Sequence, residues 1–357
     1  MKILVKLNHP AHYHLYKNLI KKLRESDDEV IVVIRNKDIL KDLLDEEHEN
    51  YLSLIQAKAR KEGNIISIIK ANVFEIILQD YKLFKIVKNE KPDVMVGTDT
   101  AIAHVGRIFK IPTYIFNEDD YIVNRLFCIF TYPFARHIVS PKVCDVGKYK
   151  HKKIEYDGYQ KLAYLHPSVF KPNIEIAKKY LNSLSKYYLI RLVSFSAGHD
   201  IEKKHSGLSK SLIIKLINTL SESGNVYITS ERKLIPEFEK YRLKINPKDI
   251  HHVMAFADLF ISDSQSMTLE AAMLGVPSIR FNSFVGKISV LNEIEERYGL
   301  SIGLNNEYPD RLLFAVNELL KNPNLKNEYK TRRDKMLSEK INLTDFMYKL
   351  LKNESIL

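Results

Sequence analysis

Residues 259–281 read LFISDSQSMTLEAAMLGVPSIRF. Leu259–Ser262 is a short apolar run, and a small polar loop follows it. Met267–Leu274 has helical character, and Pro277–Phe281 is a second apolar run behind Gly275. Strand, polar turn, helix opening around Ser266 and second strand make one βαβ unit, whose strands must run parallel. A helix that starts in such a loop offers exposed N–H groups and the positive end of its dipole, which suits a phosphate. Ser264, Gln265 and Ser266 are the candidate donors. Glu270 falls one turn further in, where a carboxylate can accept hydrogen bonds from a ribose diol. The plainer alternative is that Ser264 and Ser266 cap the helix and Glu270 is a capping-box carboxylate.

The same rhythm extends in both directions. Towards the N-terminus lie expected strands at Tyr187–Phe195 and Asn225–Thr229, with a helix at Leu208–Leu220 between them. Lys2–Leu7, Glu29–Ile34, Tyr51–Leu54, Asp93–Val96 and Pro112–Phe116 are further strands. They alternate with helices at 15–23, 37–44, 65–88 and 100–109. The segment between Phe116 and about residue 185 is less regular. Pro309–Leu351 is mostly helical and lysine-rich. The expected architecture is α/β: two Rossmann-type parallel-sheet domains facing a central cleft. The first covers residues 1–165, the second 180–340, and a helix at 341–357 returns to the first domain.

With 357 residues, the chain is long enough for two such domains. Lys and Arg exceed Asp and Glu by 55 − 44 = 11 charges, which favours an anionic partner. Cys128 and Cys144 are the only cysteines, too few for a disulfide framework or a thiolate zinc site. The N-terminus turns polar after seven residues, and Leu126–Phe134 is far too short to span a bilayer, so the expected location is cytoplasmic, or peripheral at the inner face of a membrane. No G-x-G-x-x-G, P-loop, G-x-S-x-G or H-E-x-x-H motif is present, and no nucleic-acid module is recognisable.

Four polar clusters follow the other strands, where open parallel sheets bind ligands. Ser196, Gly198 and His199 end the Tyr187–Phe195 strand; His199 is a diphosphate contact or general acid/base, or else structural. His9 and His12, in the loop after the first strand, are base or substrate-contact candidates. With His14 they lack the carboxylate or thiolate that would complete a metal set. Asp99 follows the Asp93–Val96 strand and fits a helix cap as well as a proton-transfer role. Glu118, in Glu118-Asp119-Asp120, is the fourth candidate.

Together, His9-Pro10-Ala11-His12, Lys91-Pro92-Asp93, Ser196-Ala197-Gly198-His199-Asp200, Ser230-Glu231 and Ser264 through Ala272 resemble a microbial family known as a domain of unknown function. That family is similar to the GT-B superfamily, which contains UDP-N-acetylglucosamine 2-epimerases and nucleotide-sugar glycosyltransferases. The resemblance implies that Ser264 and Glu270 hold the phosphates and ribose of a UDP-linked sugar. It also implies that His199, Asp99 and, with a one-residue offset, Glu118 stand at the epimerase catalytic positions. The epimerase Arg-Pro-Glu near the N-terminus and its His-Arg-Arg are absent, which weighs against epimerisation more than against nucleotide binding.

The function expected from this resemblance is a glycosyltransferase of surface polysaccharide or glycoconjugate synthesis. It would have a nucleotide-sugar substrate, no metal or other cofactor, and a lipid-linked or glycan acceptor. A UDP-sugar 2-epimerase and a non-catalytic nucleotide-sugar binder are the alternatives. The helix 65–88, apolar along one side and carrying Lys70, Lys82, Lys85 and Lys88, is either a buried fold helix or a face for anionic membrane.

Overall fold

A computed structural model describes residues 1–36, 40–56, 65–183, 185–193, 207–230 and 233–352, with backbone alone at 36, 55–56 and 65–73. These residues form two compact units: 1–164 with 341–352, and 165–340.

The first unit holds seven strands: β1 (Lys2–Leu7), β2 (Glu29–Asn36), β3 (Leu52–Gln56), β4 (Val94–Gly97), β5 (Thr113–Phe116), β6 (His137–Pro141) and β7 (Lys153–Tyr156). All are parallel, in the order β3-β2-β1-β4-β5-β6-β7. Ile3, Leu4, Val5 and Leu7 have no exposure, as expected of a central strand covered by helices on both faces. The order reverses between β1 and β4, where Ile3 pairs with Val94 and Lys6 with Gly97. The loops after those two strands therefore flank a topological switch point.

The second unit holds β8 (Tyr187–Leu192), β9 (Asn225–Ser230), β10 (Leu259–Ser262), β11 (Ser278–Phe281) and β12 (Ile302–Leu304), all parallel, in the order β12-β11-β10-β8-β9. Its switch point lies between β8 and β10, where Arg191 pairs with Ser262. The helix Gln265–Leu274 is buried from Thr268 onward. It stops because Gly275 adopts φ +73°, a left-handed turn that costs glycine little, and the Gly275 N–H caps Ala271 and Ala272.

The last helix, Leu343–Leu351, belongs to the first unit and packs along the helix Pro10–Arg24. Its Asn342 caps the Thr344 and Asp345 amides, Thr344 donates to the Ala163 carbonyl at 2.9 Å, and Lys22 meets Asp345 at 2.5 Å. Met347 is completely buried on its inner face.

The irregular middle of the sequence supplies two further strands. β6 and β7 extend the first unit, and β12 likewise adds an edge to the second. β7 carries charges at Lys153 and Glu155, of the kind edge strands use against unwanted pairing, so its four residues lack a continuous apolar signature. No described helix is long and apolar enough to cross a membrane.

Candidate functional site

At the switch point of the second unit, Ser262, Asp263 and Ser264 form a hydrogen-bonded elbow. The Ser264 amide donates to Ser262 Oγ at 2.8 Å, and the Val193 amide donates to Asp263 Oδ1 at 2.8 Å, tying the ends of β10 and β8 together. Asn282 Nδ2 adds a bond to the Asp263 carbonyl at 3.1 Å. Gly207 passes so close that a Cβ there would lie 2.5 Å from Asp263 Cβ, so only glycine fits. Ser264 Oγ accepts the Met267 amide at 3.3 Å and is thus the N-cap of the helix Gln265–Leu274. The cap meets one of the helix's unpaired first-turn donors and leaves the amides of Gln265 and Ser266 at its open end. Ser266 is exposed there and Gln265 half-buried. Ser196, Gly198 and His199 lie outside the described residues.

Glu270 is only 9% exposed, and its Oε2 sits 3.1 Å from His251 Nε2. A freely solvated carboxylate is therefore the wrong picture of this residue; it is a buried group in close contact with a histidine. His251 comes from the short helix Ile250–Met254, and its ring also meets Phe170 edge-on at 6.1 Å. Its role is readable from the sequence only in hindsight, because His251 and Glu270 lie on separate elements.

At the switch point of the first unit, Asp99 is the N-cap of the helix Thr100–Phe109, with Oδ1 accepting the Ile102 amide at 3.1 Å. Its Oδ2 receives Asn8 Nδ2 and lies 2.5 Å from Lys6 Nζ. Lys6 is wholly buried and also donates to Gln79 Oε1 at 2.7 Å. Burial pushes the Asp99 carboxyl up, but the Lys6 charge outweighs it with the help of the Lys6, Asn8 and Ile102 hydrogen bonds. The result lies below the usual carboxylate range. A carboxylate so held is a weak base, which suits Asp99 to positioning more than to proton transfer.

His12 accepts the Asn8 amide on Nδ1 at 3.3 Å, so its neutral ring carries the proton on Nε2. Burial, aided by the nearby His9, pulls its pKa down to about 3. His12 is thus built to donate a hydrogen bond from Nε2 and is a poor base near neutral pH. Beside it, Asn8 Oδ1 is buried without a hydrogen-bond partner among the described residues. His9 is exposed, caps the first helix through Nδ1 to the Ala11 amide at 3.2 Å, and has its ring 6.3 Å from that of His12. Glu118 is half-buried; it accepts the Gln160 amide and meets Lys161 at 3.5 Å. The neighbouring acids serve the loop: Asp120 accepts the Asp145 amide at 2.8 Å and Asp119 accepts Asn124 at 3.1 Å. Among the described residues, no group of three or more His, Cys, Asp or Glu has metal-ligating geometry.

The model of the family described as a protein of unknown function (DUF354) matches residues 1–291. The chain belongs to that family. No curated protein matches the sequence. Its fold is that of solved GT-B structures. A UDP-GlcNAc 2-epimerase from Neisseria meningitidis bound to UDP-GlcNAc is similar with a TM-score of 0.64 at 16% identity, covering 99% of this chain and 100% of that one. An S. aureus MnaA–UDP complex gives 0.65 at 15% identity, covering 100% and 98%. The glycotransferase of kitacinnamycin gives 0.64 at 12% identity, covering 99% and 98%. The DUF354 chain thus shares its fold with both epimerases and glycosyltransferases.

Proposed function

We propose that this chain is a nucleotide-sugar-dependent glycosyltransferase of surface polysaccharide or glycoconjugate synthesis, taking a UDP-linked donor. The observation that carries the reading is the Ser262–Asp263–Ser264 elbow at the second unit's switch point, with the Gln265 and Ser266 amides at the open helix end and Glu270 buried behind them. Diphosphate on that helix end would place a ribose near Glu270, whose carboxylate lies 3.1 Å from His251 Nε2. In the first unit, the His12 Nε2–H and the buried Asn8 Oδ1 supply a donor and an acceptor for a sugar hydroxyl. Transfer needs no acid at the sugar ring carbon if the helix end stabilises the leaving diphosphate.

A UDP-sugar 2-epimerase is the second reading, favoured by the six-residue spacing of Ser264 and Glu270 and by the epimerases among the similar structures. The Lys6–Asp99 pair weighs against it, since 2-epimerisation with UDP elimination calls for proton transfer at the sugar ring. A binder without chemistry is the third. Incubation with UDP-GlcNAc separates them. UDP released only when a glycan or lipid-linked acceptor is added supports transfer, an acceptor-independent isomer overturns it in favour of epimerisation, and neither supports a binder.

A further inference from the structure

The helix Arg125–Thr131 of the first unit turns its apolar side chains to solvent. Leu126 is 69% exposed, and Ile122 in the preceding turn 80%. Ile129, Phe130 and Phe134 are exposed beside them. The patch continues onto neighbouring helices through His104. Its Nδ1 bonds Asp80 at 2.8 Å, its Nε2 bonds the Phe130 carbonyl at 2.8 Å, and its ring meets Phe134 edge-on at 4.6 Å. One turn along from His104 is Ile108, 63% exposed; one residue after Asp80 is the exposed Tyr81. Single exposed apolar residues are ordinary, but a contiguous surface of large ones marks an interaction site.

Its rim is basic. Residues 100–112 carry Arg107 and Lys110 and no acid. Residues 121–154 carry Arg125, Arg136, Lys142, Lys148, Lys150, Lys152 and Lys153 against one acid, Asp145. Lys85 lies 4.4 Å over the Tyr81 ring, and Lys152 is anchored on the Tyr132 and Pro133 carbonyls, near enough to Arg107 to feel its charge. The acids beside the apolar face are already engaged: Asp80 is bound to His104, and Asp119 and Asp120, just before Ile122, accept Asn124 Nδ2 and the Asp145 amide. Apolar side chains flanked by cations, with the nearby acids engaged in hydrogen bonds, are complementary to an anionic bilayer surface. The side chains enter the interface and the cations meet the headgroups.

We propose that the first unit docks on anionic membrane through this face, centred on Ile122 and Leu126. This goes beyond the nucleotide-sugar reading and does not depend on it.

The test is co-sedimentation of the full chain with phosphatidylcholine vesicles, with and without phosphatidylglycerol, at low and high salt. The expected result is binding to the phosphatidylglycerol vesicles, weakened by salt and by pure phosphatidylcholine. Ile122→Glu with Leu126→Glu should lower the partition at least about tenfold, roughly the transfer of one buried aliphatic side chain. Both side chains are exposed, so the thermal midpoint should hold. Arg107→Gln with Arg125→Gln tests the rim without touching the apolar face and should weaken binding to the anionic vesicles only. Three results overturn the proposal: no binding to anionic vesicles at low salt, binding unchanged in both double variants, or a concentration-dependent dimer that the Glu variants abolish while vesicles stay unbound. The last would make the face a contact between copies of this chain.

Discussion

Lys6 Nζ and Asp99 Oδ2 lie 2.5 Å apart across the carboxyl ends of β1 and β4, with Lys6 wholly buried. A charge buried in a central strand is tolerated because its partner caps the neighbouring helix, and Gln79 and Asn8 complete the network.

Removing one member should leave the other buried and unpaired. Lys6→Met is expected to cost about 3–5 kcal/mol of unfolding free energy, read by chemical denaturation. Lys6→Met with Asp99→Asn should recover most of that loss, because the stranded carboxylate is gone. A double variant as unstable as Lys6→Met would show that the methionine itself does not fit.

His12 is expected to remain neutral across the physiological range. With its pKa near 3 in the folded chain against about 6.5 unfolded, the unfolded chain binds the extra proton between those values. The contribution of His12 to stability is therefore present above about pH 6.5 and lost as pH falls towards 3. Nitrogen NMR of the imidazoles should show one ring with its proton on Nε2 that does not titrate between pH 5 and 8. A His12 resonance moving near pH 6.5 would contradict the burial and the Asn8 hydrogen bond.

His104 behaves in the opposite sense. Both its nitrogens face acceptors, Asp80 and the Phe130 carbonyl, so only the charged ring satisfies both. Burial opposes the charge, but the Asp80 hydrogen bond and charge, with the Phe130 carbonyl, raise its pKa. Its stabilisation is complete below the unfolded value and fades as pH rises through the raised one. Thermal midpoints measured from pH 6 to 9 should decline in wild type and flatten in His104→Gln. An equal decline in both would place the pH dependence elsewhere.

Much of the fold was legible because its central strands are continuous apolar runs. Lys2–Leu7 and Leu259–Ser262 have the same limits in sequence and structure. β7 was not, since KIEY is short and alternates charge with Lys153 and Glu155. At the sites, the helix caps were readable locally: Asp99 precedes Thr100 and Ser264 precedes Gln265, each at a strand-to-helix turn. The partners of those residues were not. Lys6 is distant in sequence from Asp99, and His251 reaches Glu270 from another helix, so only the packed chain joins them. The loop carrying Ser196, Gly198 and His199 falls outside the described residues.

The donor seat on the helix Gln265–Leu274 is tested most directly by calorimetric titration of UDP into wild type, Ser266→Asp and Glu270→Gln. Ser266 is exposed in the first helical turn, where a carboxylate favours the helix dipole but repels a diphosphate. Ser266→Asp should keep or raise the thermal midpoint and weaken UDP at least about tenfold, or about 1.4 kcal/mol. Glu270→Gln keeps the shape beside His251 but removes the charge on the ribose side, and should weaken UDP by at least about the same factor. UDP bound with wild-type affinity by both folded variants, or not bound by wild type at all, would contradict the account.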